Sequence, residues 1–176
     1  MKIFLIPVVY FFVLISRYSK FINVSILVSK IPFTLGSAIR YEFYKRTLDS
    51  VGEGVLFSYG VIFSHKNIKI GSNVRFGPYN TVGLVDFSDN ILIGQYCHFL
   101  SGKNQHGFSS KDTPINQQPG VLRKITIAND VWIGTGSIIM ESIATGTVVG
   151  AGSVISKKFD SYTIVAGNPA RKVRER

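Results

Sequence analysis

The stretch Ile127-Ala128-Asn129-Asp130-Val131-Trp132-Ile133-Gly134-Thr135-Gly136-Ser137-Ile138-Ile139 decides the fold. Its residues Ile127, Ile133 and Ile139 recur every six positions, a period that belongs neither to a helix nor to simple strand alternation. The residue after the aliphatic is small, Ala128 and Gly134, and the fifth place is taken by Val131 and Ser137. Such a unit makes one short strand and one turn: the aliphatic side chain points inward, the fifth residue fills the corner, and glycine permits close backbone approach. Three units close a triangular coil, which buries its interior only against the coils above and below it.

The signature extends in both directions. Ile70, Phe76 and Val82 keep the same spacing, as do Ile93 and Phe99, and Ile143, Val149 and Ile155. Gly71, Gly77, Gly94 and Gly150 follow their inward partners, and Val74, Cys97, Thr147 and Ser153 take the fifth place. Repetition on this scale predicts an all-β solenoid, a parallel β-helix over residues 51–165. The step from Ile139 to Ile143 is four residues instead of six, so one corner must tighten and the register over 140–148 stays open. Residues 101–124, SGKNQHGFSSKDTPINQQPGVLRK, contain no hexad and read as one long loop ejected between two coils.

The chain has 176 residues, enough for one core and a short appendage, and its 45% hydrophobic content excludes disorder. A net charge of +10 raises nucleic-acid binding, but the placement of the charge argues against it. Residues 1–50 carry seven Lys or Arg against two acids, residues 157–176 six against two, and the middle of the chain seven against six. With no zinc-finger spacing, stacked-aromatic RNA motif or recognition helix, the basic ends point to a phosphate-bearing ligand at the C-terminus and an anionic membrane surface at the N-terminus, and no nucleic acid is expected. The single cysteine, Cys97, allows no intrachain disulfide and suits a reducing, cytoplasmic setting; its inward place makes it a packing residue rather than a nucleophile.

Residues 1–50 read as an apolar and basic helical segment. Ile3 to Ile15 is an apolar run of 13 residues broken only by Pro7, followed by Arg17, Lys20 and a second run, Phe21 to Val28. Neither run reaches the roughly 20 residues that span a bilayer, and no basic start with a small-residue cleavage site marks a signal peptide. Three placements stay open: helices packed on the body of an oligomer, peripheral contact with the inner face of the plasma membrane through residues 1–28, and, least expected, a membrane span.

Function concentrates on loops held by a rigid scaffold, and the ejected loop contains His106 in Asn104-Gln105-His106-Gly107. Histidine titrates near neutrality and suits proton transfer. After it come NDVWIGTG (129–136), VVGAGSV (148–154) and AGNPA (166–170). In this order the segments resemble the hexapeptide-repeat O-acetyltransferases, whose coils form a left-handed β-helix; the likeness covers about residues 51–176. The chain looks like members that modify sugars of bacterial surface polysaccharides, and is also similar to the maltose/galactoside and xenobiotic acetyltransferases.

The resemblance implies an acyltransferase that uses acetyl-CoA as donor and no metal, a homotrimer with active sites between subunits, and a sugar hydroxyl, less expectedly an amine, as acceptor in polysaccharide biosynthesis. It implies His106 as the base, the Thr135 N–H as the oxyanion donor, and Trp132 beside the acyl group. Gly150 and Ala151 would border the pantetheine arm and Ser156 and Lys157 the nucleotide end. In the basic tail, residues 166–176, Asn168 and Pro169 join the cofactor set and Arg171 and Arg174 would meet the CoA phosphates. Asp89 and His98 are candidate acceptor contacts; His65 reads as a surface residue. Rival readings are an antibiotic or other small-molecule O-acetyltransferase, a non-catalytic β-helix scaffold, and a zinc enzyme of the γ-carbonic anhydrase type, whose ligand pattern His98 and His106 do not match.

Overall fold

A computed structural model describes residues 2–176. Three helices open the chain, α1 (Lys2–Tyr18), α2 (Phe21–Ser29) and α3 (Phe33–Thr47), and a parallel solenoid of about six coils follows. The two apolar runs become α1 and α2. The third helix forms from the segment after Pro32, because Gly36, Ile39, Arg40, Phe43 and Tyr44 recur at helical spacing and are all buried.

The short strands of successive coils stack on three faces. The first face stacks Ser50–Val51, Lys69–Ile70, Val85–Phe87 and Ile125–Ile127. The second stacks Leu56–Phe57, Val74–Phe76, Ile91–Ile93, Trp132–Ile133, Val148–Val149 and Thr163–Gly167. The third stacks Ile62–Phe63, Thr81–Val82, His98–Phe99, Ile138–Ile139 and Val154–Ile155. The inward residues of the hexads thereby become columns. Phe57, Phe76, Ile93, Ile133, Val149 and Val165 lie in register on the second face, and Phe63, Val82, Phe99, Ile139 and Ile155 on the third, all buried.

The coils are not of one length. Leu56 pairs with Arg75, Arg75 with Leu92 and Trp132 with Val148, so the rise from coil to coil takes 19, then 17, then 16 residues. The short step from Ile139 to Ile143 is where the later coils lose length. There the first face thins to a single bridge between Ile127 and Ile143. The corner place that Ile68, Val85 and Ile125 fill in earlier coils is taken by Glu141, which is buried and accepts the Ser142 N–H at 2.9 Å. Glycine marks the corner where successive backbones touch: a Cβ on Gly94 would stand 2.6 Å from Thr135 N, and one on Gly134 2.5 Å from Ala151 N.

Both ends of the solenoid are covered, as an open stack of strand edges requires. At the N-terminal end α3 inserts Tyr44, whose ring lies 4.8 Å from those of both Phe57 and Phe63 and whose hydroxyl donates to Val61 O at 2.9 Å. Beside it the buried Arg40 guanidinium donates to Phe57 O at 2.9 Å and to Ile31 O at 2.7 Å, joining the helices to the first coil. At the other end Ala170–Glu175 folds back antiparallel on Thr163–Gly167. An aromatic run through Tyr44, Phe57, Phe63, Phe76, Phe87 and Phe99 links α3 to the third coil, with ring separations of 4.8 to 5.7 Å. Phe76→Ala, which empties the middle of this run, is expected to cost about 3–5 kcal/mol. Leu92→Ala, at an outward position, is expected to stay within about 1 kcal/mol. Chemical denaturation of the two variants measures both; equal losses would refute the stacked interior as the source of stability.

Candidate active site

The ejected loop is a built structure. Its two limbs pair at the neck, where the Arg123 N–H donates to Ser101 O at 2.9 Å and the Val121 N–H to Asn104 O at 2.7 Å. Gly120 is needed there, since a Cβ would lie 1.9 Å from Gln105 O. Gln118 pins the outer part by donating to Ser110 O and Thr113 O and accepting from the Ser110 N–H, at 2.7 to 3.0 Å. The neck is then clamped to later coils. Arg123 donates to Glu141 at 2.7 Å with the Lys103 ammonium 3.9 Å from the same carboxylate oxygen, and Lys103 also donates to Ser156 O at 2.7 Å.

This clamp fixes the segment that carries His106. The imidazole is exposed and faces a cleft of about 400 Å³ at the corner between the third and first faces. Ser64, His65, Thr81, Ser101 and Gln105 supply polar groups to the same cleft, and Leu100 and Leu122 an apolar wall. Among the described residues no acidic side chain lines it. His65, a surface residue by sequence, is thus placed beside His106. His98 points outward from the third face, its Nδ1 2.7 Å from Thr81 Oγ1, and so borders the cleft through Thr81.

Thr135, Ala151 and the Asn168-Pro169 turn line a different corner, between the second and third faces, whereas Ser156 and Lys157 follow the third-face strand Val154–Ile155 on the side of the loop neck. Thr135 and Ala151 occupy their corner in successive coils, joined by the Gly152 N–H donating to Thr135 O at 2.8 Å. The Gly167-Asn168-Pro169 turn follows, tied to Gly150–Ser153 by the Gly167 N–H donating to Ser153 Oγ at 3.1 Å. Thr135 is exposed and, among the described residues, its own N–H has no acceptor. In the two preceding coils this corner is aromatic: Tyr79 and Tyr96 hold left-handed φ angles of 62° and 55°, which bulky residues rarely adopt, with rings stacked 5.0 Å apart. In the later coils Gly136 and Gly152 take the same conformation with no atom within 4 Å of an added Cβ. The corner therefore changes from an aromatic column to a bare ledge along which an extended chain can lie.

Arg171 and Arg174 are exposed on the last strand, and Lys157 lies over the Phe159 ring at 5.4 Å. Trp132 projects from the second face, 54% exposed, in a shallow cleft with Leu92 and Val148. Arg176, which the sequence did not single out, closes that cleft by donating to Asp130 at 2.7 Å. Asp89 stands at the corner between the first and second faces, away from the His106 cleft, and its carboxylate accepts the Ser72 N–H at 2.7 Å. Cys97 is buried with its thiol directed to Gly134 O, and burial pushes that thiol up from its ordinary range, a packing environment rather than a nucleophile's. Among the described residues no three His, Cys, Asp or Glu side chains stand close enough to hold a metal ion.

One chain thus brings Thr135, Ala151 and Asn168 together along one edge and His106 with His65 along another, and it leaves Trp132 on a separate face. No protein-family model matches the chain. A chloramphenicol acetyltransferase from Klebsiella aerogenes is 44% identical, the match covering 73% of this chain and 76% of the relative. One from Escherichia coli is 28% identical over 52% of this chain and 54% of the relative, so the chain spans about half the length of that protein. The solved structure of a galactoside acetyltransferase in complex with coenzyme A has a TM-score of 0.75 at 25% identity, covering 87% of this chain and 78% of that one. The hexads, the solenoid and these relatives together define a left-handed β-helix protein of the acyltransferase class. The chain belongs to the hexapeptide-repeat acetyltransferase family.

Glu141 is the anchor of the loop. Burial alone would raise its carboxyl pKa, but the Arg123 hydrogen bond, the Ser142 N–H and the charges of Arg123 and Lys103 outweigh burial and hold it below the ordinary carboxylate range. Because the folded value is the lower one, this anchoring is complete above the unfolded carboxyl value of about 4.3 and is lost as pH falls through the folded value. Glu141→Gln is expected to weaken the anchor by about 1–3 kcal/mol at neutral pH. Hydrogen exchange over residues 101–124 should rise in the variant, and in the wild type only under acid conditions; unchanged exchange would refute the anchor.

Proposed function

We propose that the chain transfers an acetyl group from acetyl-CoA to a hydroxyl of a sugar, in the synthesis of a surface polysaccharide, with His106 as the general base. The observation that carries this reading is the His106 cleft. It presents an imidazole on a clamped loop beside neutral hydroxyl and amide groups from Ser64, Thr81, Ser101 and Gln105, with no acidic residue among them, a lining suited to a hydroxylated acceptor. His106 removes the acceptor proton as the hydroxyl oxygen attacks the thioester carbonyl, and returns it to the departing CoA sulfur when the C–S bond breaks. The N–H of Thr135, which has no acceptor among the described residues, donates to the oxyanion of the tetrahedral intermediate. Trp132 flanks the acyl group, and the ledge at Gly150, Ala151 and Gly152 borders the pantetheine arm. Ser156, Lys157, Arg171 and Arg174, with the turn at Asn168 and Pro169, supply the nucleotide end, where the cations face the phosphates.

This assignment needs more than one copy of the chain. His106 and Thr135 stand at opposite edges of the third face and Trp132 projects from the second, so the base of one subunit must meet the acyl site of a neighbour. A homotrimer with sites between subunits satisfies that requirement. A small-molecule reading has its own support, because the two curated relatives described above are both chloramphenicol acetyltransferases. Release of CoA thiol, followed with chloramphenicol and with a panel of sugars and nucleotide sugars, separates the two. His106→Ala is expected to lower kcat/KM by about 10³-fold while CoA binding and oligomeric mass stay unchanged. Undiminished turnover by that variant would remove His106 from the mechanism.

A further inference from the structure

Helix α1 presents two apolar faces where a surface helix has one. Its inner face, Leu5, Val9 and Val13, is buried against the other helices. The opposite arc carries Ile6, Pro7, Val8, Tyr10, Phe11, Leu14, Arg17 and Tyr18, all exposed. At 100° per residue these positions cover more than half of the helix circumference with a single charge, Arg17, near one margin. An apolar surface this continuous is unusual on a protein in water and marks a contact.

We infer that α1 lies in the headgroup layer of an anionic lipid bilayer, with Phe11 and Leu14 inserted and the basic residues around its C-terminal end on the lipid phosphates. Charge carries this choice of partner. Residues 1–41 contain five Lys or Arg and no Asp or Glu. Arg17, Lys20 and Lys30 are exposed, and Lys66 closes the C-terminal end of α1 by donating to Ser16 O at 2.8 Å. The first acid in the chain, Glu42, is already paired with Arg46, whose guanidinium lies over the Tyr10 ring at 5.5 Å. Tyr10 and Tyr18 suit the wet margin of a bilayer, where an aromatic body is buried and its hydroxyl is hydrated. No helix among the described residues is long and apolar enough to cross a membrane, so the contact runs along the surface. A second copy presenting the same arc would bring two cationic margins together, which like-charge repulsion opposes.

The inference is independent of the acetyl transfer proposed above and is tested without it. Full-length protein is floated with vesicles of phosphatidylcholine alone and of phosphatidylcholine with phosphatidylglycerol. Recovery on the anionic vesicles should exceed that on neutral ones by about tenfold and fall at high salt. The double variant Phe11→Glu, Leu14→Glu should lose flotation while its oligomeric mass by light scattering is unchanged. Equal recovery on both vesicles, or flotation by the double variant, would overturn the inference. Loss of oligomeric mass in the variant would also overturn it, by assigning the arc to a contact between copies.

Discussion

A coil of 16 to 19 residues encloses too little space to bury anything by itself, and the rest of the molecule follows from that limit. Each inward side chain is covered only by the residue one coil above and the residue one coil below. Successive backbones must therefore approach to van der Waals contact at the corners, which Gly94 and Gly134 allow. The longer coils near the helices hold Phe57, Phe63 and Phe76, whereas the shorter coils beyond the loop hold Ile133, Ile139, Val149 and Ile155.

A filled interior leaves no room for a ligand, so chemistry is confined to corners and to whatever the coils eject. In the proposed mechanism two corners carry it. One becomes a ledge, because Gly136 and Gly152 replace the tyrosines that occupy the same turn in earlier coils. The other opens under the long loop, where the His106 cleft draws on three successive coils through Ser64, Thr81 and Ser101. The two are separated by the width of a face, which is why the proposed mechanism requires a neighbouring subunit.

Much of this was legible in the sequence, because a six-residue period has almost no other physical meaning. The columns, the loop at 101–124 and the inward place of Cys97 followed from spacing alone. What escaped depended on coil length, which the hexads do not reveal. His65 joined the cleft only because the first rise takes 19 residues and the next 17, which brings the turn after Phe63 beside those after Val82 and Phe99. Counting back from Ser101 by one rise to Leu84 and by the longer rise to His65 could have found it. Asp89 stands outside the His106 cleft, and its carboxylate accepts a backbone N–H at a corner, a role that composition cannot distinguish from ligand contact. The third helix falls within the helical segment read over residues 1–50, although its apolar contrast is weak, since the residue that fixes it to the first coil, Arg40, is charged and yet buried.

The short step between Ile139 and Ile143 connects coil geometry to the site. A full hexad would return the chain to the first face with an aliphatic residue at the corner, as Ile125 does one coil earlier. Losing two residues reduces that strand to a bridge and puts the Glu141 carboxylate at the corner instead. A buried carboxylate demands compensation, and the cations nearest to it are Arg123 and Lys103, one on each limb of the ejected loop. The deletion that disturbs the repeat thus creates the charge that closes the loop neck. Loop placement and coil length are coupled through one side chain: restoring the hexad with an aliphatic at this corner would improve the regularity of the solenoid and release the segment that holds His106.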